Sequence, residues 1–245
     1  MRKNIQELLK ITDEYLIQLP EFRVKFDLPV KNEIAKFIDH TLLKAEATEE
    51  QIKKLCQEAK VSQFATVCLN PSYVPLAATL LKGTSVKVCT VIGFPLGANS
   101  TYTKVAESLD SIDQGADEID MVINIGAMRG GDYQLVYDEI LQVKEAAGET
   151  LVKVIFENCY LDKKEKILCC LMCIEAGVEF VKTSTGFGTS GATLEDVELM
   201  RRVVGPTLGV KAAGGIRTYT DAMNMIRAGA DRLGSSAGVA ILAES

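Results

Sequence analysis

The sequence has 245 residues, and its 47% hydrophobic content is enough for one large domain with a substantial core. A formal net charge of −6 argues against a nucleic-acid-binding surface spread over the whole protein. The charged N-terminal segment is unlike a signal peptide and no run approaches the roughly 18 apolar residues of a membrane span, so we expect a cytoplasmic protein with reduced cysteines.

Residues 1–35 are predicted to form a helical extension that precedes the main domain. Ile5, Leu8 and Leu9 follow a helical spacing, and Pro20 should end the helix. From residue 36 onward, short apolar runs typical of buried strands alternate with amphipathic stretches typical of helices. The strand-like runs lie at 36–43, 64–70, 86–94, 118–126, 151–158, 179–185, 208–215 and 231–237.

Helix start signals support this division of the chain. Thr48 and Gln51 have the spacing of a capping box, and Thr193 and Thr218 begin similar sequences. Strands that alternate with helices, without a linker between them, predict a single (β/α)8 TIM barrel at residues 36–245. A doubly wound open sheet is the structural alternative.

Four charged residues interrupt the otherwise apolar strand-like runs. Asp120 lies in the fourth run, while Lys153, Lys182 and Lys211 follow in the next three at intervals of 29 residues. This interval matches one strand–helix repeat, so the lysines should occupy equivalent heights on neighbouring strands. Because side chains alternate along a strand, all four residues are expected to face the barrel interior.

Two lysines on adjacent strands suggest amine chemistry. Strands lie about 4.8 Å apart, so the tips of Lys182 and Lys211 can meet. Two ammonium groups at about 4 Å repel by up to about 4 kcal/mol at an effective dielectric of 20, which favours proton loss from one of them. A neutral amine attacks carbonyls to form a Schiff base, and an inward carboxylate such as Asp120 can relay protons. A purely structural ion network is the alternative.

Glycines and serines follow the last three strand-like runs. The segment 186–191 has the glycine spacing of a dinucleotide-binding loop, but it lies in the sixth unit and Lys211 replaces the expected ribose-binding acid, which disfavours nicotinamide. Loops after strands seven and eight form the usual phosphate cradle of this fold. The candidates there are Gly214, Gly215, Gly234, Ser235 and Ser236, with turn glycines and capping serines as the alternative interpretation.

Eight segments carry a family resemblance. In chain order they read FIDHTLLK, TVCLNP, VIGFPLG, EIDMVINIGA, VKVIFE, FVKTSTGFG, VKAAGGIRT and RLGSSAG. Over about residues 34–242 they resemble the deoxyribose-phosphate aldolase family. The resemblance implies a class I, metal-independent TIM-barrel lyase that reversibly cleaves 2-deoxy-D-ribose 5-phosphate to acetaldehyde and D-glyceraldehyde 3-phosphate. It also implies no cofactor, a role in deoxyribonucleotide catabolism, and a homo-oligomer of two or four subunits.

The resemblance also implies a role for each site residue. Lys182 would form the Schiff base, Lys211 would promote its neutral form and assist proton transfer, and Asp120 would act as acid and base through water. Lys153 would help to position the hydroxyl groups of the substrate. The phosphate would be held by Gly186, Gly214, Gly215, Gly234, Ser235 and Ser236.

Two positions depart from the family pattern. Asn158 stands where a threonine is expected after the glutamate, which alters the floor of the expected pocket. Phe187 stands where some members carry a lysine, which removes one possible phosphate contact.

Other residues argue against a metal site. His40 is the only histidine, whereas zinc-dependent aldolases usually use several histidine ligands, so we interpret it as structural. Cys170 and Cys173 form a C-x-x-C on a predicted helix beside Cys169 and are interpreted as packing residues. Another lysine-dependent aldolase or transaldolase, or a non-catalytic phosphate-binding barrel, remains an alternative function.

Overall fold

Eight short parallel strands close into a barrel in the computed structural model, which describes residues 2–21, 29 and 31–244. The strands are β1 Ile38–Leu42, β2 Thr66–Leu69, β3 Lys87–Ile92, β4 Glu118–Val122, β5 Leu151–Ile155, β6 Phe180–Lys182, β7 Gly209–Ala213 and β8 Arg232–Ser235. Each pairs with its neighbours in chain order, and β1 also pairs with β8, which closes the ring. The predicted (β/α)8 barrel is confirmed, and the open sheet is wrong.

Helices surround the barrel and connect its strands. They are α1 Ile5–Ile17, α2 Glu49–Ser62, α3 Val74–Leu81, α4 Thr101–Asp113, α5 Ile125–Gly130, α6 Tyr133–Ala147, α7 Lys163–Ala176, α8 Leu194–Val204, α9 Tyr219–Ala228 and α10 Gly238–Glu244. Short 3₁₀ turns occur at Lys31–Phe37, Pro71–Tyr73 and Asn158–Tyr160. Among the described helices, we find none with both the length and the apolar composition of a membrane span.

The predicted helix starts agree with the structure. Thr48 and Thr218 begin α2 and α9 with reciprocal capping boxes. Thr193 caps α8 through its own side chain only, because the carboxylate of Asp196 turns to the ammonium of Lys166 at 2.7 Å. These caps satisfy backbone N–H groups that would otherwise lack a partner at each helix start.

Two strands end earlier than the apolar runs predicted. The run at 118–126 stops at Val122 because Asn124 caps α5, its side chain accepting from the N–H of Ala127 at 3.0 Å. The run at 151–158 stops at Ile155, and Glu157 then takes a left-handed conformation. In both places a polar side chain at the C-terminal end of the strand turns the chain away from the sheet.

Helix α1 lies against α7 on the outside of the barrel. Leu8 is buried in this contact, and the ammonium of Lys3 reaches the carboxylate of Glu175 at 2.6 Å. Residues 22–28 and 30 of the predicted extension lie outside the described residues. The boundary between an extension at 1–35 and a barrel domain at 36–245 therefore stays a prediction.

Most of the apolar core lies between the barrel and the helices rather than inside the barrel. A separate small apolar cluster, formed by Leu43, Cys68, Cys89 and Val91 with Phe94 beside it, lies at β1–β3. The interior of such a barrel is usually filled by layers of branched apolar side chains. Charged side chains occupy much of that space here, and they form the candidate site.

A buried ion pair holds the β3–α4 connection against the end of β4. The ammonium of Lys104 contacts the carboxylate of Glu139 at 2.8 Å, and neither side chain is exposed. The same ammonium donates to the carbonyl oxygens of Gly97 at 2.8 Å and Val122 at 2.7 Å. Since Val122 follows Asp120 by two residues on β4, this contact fixes the strand end next to the candidate site.

We expect Lys104→Ala to lower the free energy of unfolding by about 3–5 kcal/mol, because it leaves the carboxylate of Glu139 buried without a cation. Urea denaturation of the variant and the wild type measures the difference. The matched control is Lys53→Ala on α2, whose exposed pair with Glu49 at 2.8 Å should contribute less than about 1 kcal/mol. Equal losses in the two variants would contradict the structural role of Lys104.

Candidate active site

A cavity of about 400 Å³ opens at the C-terminal end of the barrel. Its wall on one side comes from residues 41–44 at the end of β1, and on the other from the ends of β6, β7 and β8 and the loops that follow them. Seven of the residues predicted for the site line it, namely Lys182, Gly186, Gly214, Gly215, Gly234, Ser235 and Ser236. This is the end at which TIM barrels carry their active sites.

Asp120 joins the three predicted lysines beneath this cavity. Its Oδ1 accepts from the ammonium of Lys153 at 2.8 Å, and its Oδ2 accepts from Lys182 at 2.8 Å and Lys211 at 2.7 Å. Two ammonium groups therefore share one carboxylate oxygen. The four inward side chains predicted from strand alternation are brought together.

The three lysines are not at equal heights, which corrects part of the sequence interpretation. Lys182 pairs directly with Lys211, but Ile155 rather than Lys153 stands opposite Lys182. Lys153 instead pairs with Asp120, two residues closer to the start of its strand. The reason is the stagger between strands that closing a barrel requires, which a constant interval in sequence does not report.

Further charged groups extend the cluster deeper into the barrel. Asp39 contacts Lys211 at 2.5 Å and Glu118 contacts Lys153 at 2.5 Å. Arg232 joins these two carboxylates, at 2.7 Å from Asp39 and 3.3 Å from Glu118. Sequence reasoning missed all three, although Glu118 precedes Asp120 by two residues and alternation alone places both on one face.

We call these connected residues the ionic network. Its members are Lys153, Lys182, Lys211, Arg232, Asp39, Glu118 and Asp120. With every group ionised, four positive groups face three negative ones, so the network carries one uncompensated positive charge. A buried charge without a counter-ion is costly, and loss of one proton would neutralise the network.

Neighbouring charges decide which groups stay ionised. Burial is the largest influence on Asp120 and opposes its charge, but Lys153, Lys182 and Lys211 together outweigh it and hold the pKa of Asp120 well below its usual value. Burial likewise opposes the charge of Lys211 and Lys153, but Asp120 and the deeper carboxylates outweigh it and raise the pKa of both lysines. Lys153 and Lys211 therefore remain ammonium groups at neutral pH.

Lys182 differs from the other two lysines in its exposure and its partners. Among the ion pairs of the described residues, it has Asp120 alone, whereas Lys211 also has Asp39 and Lys153 also has Glu118. It is also the one of the three lysines that lines the cavity, since Lys153 and Lys211 are completely buried. Its amine is thus the least compensated in the network and the one a ligand can reach.

Two groups of side chains have the chemistry of metal ligands, but they do not fit a metal ion. Within the described residues these groups are Cys68, Cys89 and Asp120, and Asp39, Cys89 and Glu118. Lys153 already places its ammonium 3.4 Å from the sulfur of Cys89 and 2.8 Å from Asp120. Burial also raises the pKa of Cys89 well above its usual value, so this thiol stays protonated, whereas a metal needs the thiolate.

The lone histidine and the C-x-x-C lie away from the cavity. His40 faces α2, where its Nε2 is 2.8 Å from the carboxylate of Glu58 and its ring packs against Phe64. Cys169, Cys170 and Cys173 are buried on α7. The structural interpretation of these residues is confirmed.

The loops predicted to hold phosphate pack closely on one another. A Cβ on Gly191 would lie 2.2 Å from the carbonyl oxygen of Gly214, which itself has a φ of +86°. Ser235 donates to the carbonyl oxygen of Ile216 at 2.8 Å, which ties the loop after β8 to the loop after β7. The hydroxyl of Ser235 is therefore already engaged in holding the two loops together.

Phe187 forms part of the cavity mouth and is 54% exposed. Its ring meets that of Phe94 edge to face, with centroids 5.3 Å apart. This wall is apolar, in agreement with the predicted loss of a cationic contact at position 187.

Comparison with known proteins agrees with this geometry. The family model of the DeoC/LacD aldolases matches residues 33–244. A deoxyribose-phosphate aldolase of Streptococcus equi subsp. zooepidemicus is 58% identical over 209 residues, which cover 85% of this chain and 95% of that protein. A crystal structure from Coccidioides immitis superposes with a TM-score of 0.93 at 42% identity and covers 99% of this chain and 98% of that one.

A third relative is the deoxyribose phosphate aldolase of Aeropyrum pernix, whose structure is described as tetrameric. It is 32% identical, with a TM-score of 0.80, and covers 98% of this chain and 97% of that one. The family model and these relatives together cover most of the chain. The chain belongs to the DeoC/LacD family of aldolases.

Proposed function

We propose that this protein is a deoxyribose-phosphate aldolase of class I, which reversibly cleaves 2-deoxy-D-ribose 5-phosphate to acetaldehyde and D-glyceraldehyde 3-phosphate. The observation that carries the proposal is the pair of lysines on one oxygen of Asp120. One of them, Lys182, faces a cavity that can hold a substrate, and the other, Lys211, is buried and has a pKa that the neighbouring carboxylates raise. The names of the relatives support the choice of substrate.

Lys182 is the nucleophile in this proposal because it is the lysine of the ionic network that lines the cavity, and among the described residues its ion pair is with Asp120 alone. Its neutral form removes the uncompensated charge of the network, while Lys153 and Lys211 keep their carboxylate partners. A neutral amine next to a second cation is the usual state of a Schiff-base lysine.

The reaction then proceeds through an iminium ion on Lys182. The amine adds to the C1 aldehyde of the open-chain sugar, and the addition product takes up a proton and loses water to give the iminium. Removal of the proton from the C3 hydroxyl breaks the C2–C3 bond, whose electron pair forms the C1–C2 double bond of an enamine while the π electrons of the iminium move to its nitrogen. Glyceraldehyde 3-phosphate leaves. Protonation of the enamine carbon and addition of one water release acetaldehyde and restore the amine.

Asp120 and Lys211 serve the proton transfers of this sequence. The low pKa of Asp120 makes it a weak base while three ammonium groups surround it. When Lys182 gives up its charge, one of these three cations is lost and the basicity of Asp120 rises toward its usual value. Asp120 can then hold a proton transiently, directly or through water, while Lys211 remains a cation beside the developing charge.

The substrate phosphate would lie against the loops after β6, β7 and β8, where Gly186, Gly214, Gly215 and Gly234 allow close approach of the backbone. Lys153 does not line the cavity, so we propose that it acts on the substrate through Asp120. We further propose that the reaction needs no metal or organic cofactor.

The proposal extends to the setting of the enzyme. It acts as a homo-oligomer, as the tetrameric relative from Aeropyrum pernix suggests. It degrades sugar phosphates from deoxynucleotides in the cytoplasm. Size-exclusion chromatography with light scattering measures the assembly directly, and a monomer at micromolar concentration would contradict that part of the proposal.

Incubation with acetaldehyde followed by borohydride reduction is expected to add a two-carbon group to Lys182, because reduction makes the Schiff base permanent. Mass spectrometry of the digested protein identifies the modified peptide. Lys54→Ala, which removes an exposed lysine on α2, should be labelled like the wild type. An adduct on another lysine would keep the chemistry but overturn the assignment of Lys182. A folded protein that forms no adduct would be better explained as a phosphate-binding barrel.

A further inference from the structure

Glu157 has an unusual backbone for a buried charged residue. It is 2% exposed and has a φ of 56° and a ψ of 62°, in the left-handed region that side chains other than glycine rarely adopt. Within the described residues one other non-glycine residue has a positive φ, and that is Gln63 at the exposed end of α2. Strained backbone of this kind persists where the surrounding structure requires it, and it concentrates at functional sites.

The strain arises from an extra residue between β5 and its neighbour β6. The N–H of Phe156 donates to the carbonyl of Lys182, and the N–H of Asn158 donates to the carbonyl of Thr183. In a regular parallel ladder, donors two residues apart reach acceptors two residues apart, so the N–H of Asn158 would donate to the carbonyl of residue 184 and not to that of Thr183. Just beyond the ends of the two strands, the β5 side thus has one residue more than the regular pattern, as in a β-bulge, and Glu157 takes this position. An insertion of this kind redirects a side chain next to a site.

The redirected carboxylate binds the loop that follows the nucleophile. One oxygen of Glu157 accepts from the N–H of Thr185 at 3.2 Å, and the other accepts from the hydroxyl of Thr185. That hydroxyl in turn accepts from the N–H of Phe187 at 3.0 Å. Gly186 lies between the two, so its conformation is held from both sides. A Cβ on Gly188 would come within 3.1 Å of the same carboxylate.

We propose that Glu157 is a positioning residue that sets the affinity of the site for the phosphate group of the substrate. This inference rests on the proposed function and adds a determinant of its specificity. Glu157 fixes the loop 185–188 so that Gly186 lies against Gly214 at the proposed phosphate end of the cavity.

The contacts of Glu157 separate phosphate binding from the carbon chemistry. The hydrogen bonds of its carboxylate go to Thr185, whereas the amine of Lys182 is held by Asp120 on the other side of the strand end. Release of the carboxylate therefore frees the loop but leaves the ionic network intact. A loop that must be ordered by the substrate binds it more weakly, while the chemical step after binding is little affected.

The test compares phosphorylated and unphosphorylated substrate in Glu157→Gly. Glycine adopts the left-handed backbone without strain, so this variant removes the carboxylate and adds no backbone strain at that position. We expect KM for 2-deoxyribose 5-phosphate to rise about tenfold with kcat changed less than about threefold, as for the loss of an interaction made in ground and transition states alike. The activity on 2-deoxyribose should change little. Glu157→Gln keeps one acceptor for Thr185, so its KM for 2-deoxyribose 5-phosphate should lie between those of the wild type and Glu157→Gly.

The matched control is Gln63→Gly, which relieves the other left-handed position without touching the cavity. It should leave the ratio of the two kcat/KM values unchanged. A second readout is the increase of the melting temperature with inorganic phosphate, which should be smaller in Glu157→Gly than in the wild type. Equal losses on both substrates, or an unchanged response to phosphate, would overturn the inference. A wild type that binds phosphate but cleaves neither sugar would refute the proposed function and not the role of Glu157.

Discussion

Replacing Lys182 with alanine is expected to lower kcat for the cleavage of 2-deoxyribose 5-phosphate by about 10⁴-fold or more, because the covalent route is lost entirely. The variant should fold, since removal of this ammonium leaves three positive and three negative groups in the ionic network. Coupled oxidation of the released glyceraldehyde 3-phosphate measures the rate.

Lys182→Arg provides the sharper comparison. A guanidinium keeps a cation beside Asp120 but does not lose its proton in proteins. We therefore expect the arginine variant to be as inactive as the alanine variant. Activity of Lys182→Arg within about tenfold of the wild type would show that the charge at this position matters and its nucleophilicity does not.

Asp120→Asn is expected to reduce kcat by about 10² to 10⁴-fold, the usual contribution of a positioned acid–base group. It should also lower the free energy of unfolding by about 3–5 kcal/mol, because three lysines lose a carboxylate that all of them contact. Steady-state kinetics and urea denaturation separate these two effects.

Asp39→Asn is the matched control for this variant. It removes the same charge from the ionic network, but Asp39 contacts Lys211, Arg232 and, at 3.9 Å, Lys153, and no ion pair joins it to Lys182. We expect a similar loss of stability with a smaller loss of kcat. If the two variants lose activity equally, the effect belongs to the charge of the network and not to the position of Asp120.

Asp120→Asn should also change how the free energy of unfolding depends on pH. The pKa of Asp120 is lower in the folded protein than in the unfolded chain, so its ionised form stabilises the fold above the unfolded value of about 4. This contribution is lost as the pH falls below that value. The decrease in unfolding free energy between about pH 5 and pH 3 should therefore be less steep in Asp120→Asn than in the wild type.

The sequence predicted the barrel because the strands and several helix starts have local signals, such as the threonine caps of α2 and α9. It also predicted that Asp120 and the lysines face inward, since alternation along a strand is a local property. The height of Lys153 was wrong because the stagger between strands arises only when the ring closes.

The residues that were missed depend on contacts between distant segments. Asp39 and Arg232 are separated by almost the whole chain and meet because β1 pairs with β8. Glu157 has no local signal, since an inserted residue in a strand is visible only against its partner strand.

The uncompensated positive charge of the ionic network has a consequence for the evolution and redesign of this enzyme. A single substitution that removes a carboxylate such as Glu118 leaves four positive groups against two negative ones and takes a partner from Lys153, so one-step changes at these carboxylates pass through an unstable protein. Substitutions that remove a positive and a negative partner together avoid that unstable protein. New substrates are therefore more readily acquired by altering the loops at the cavity mouth than by rebuilding its floor.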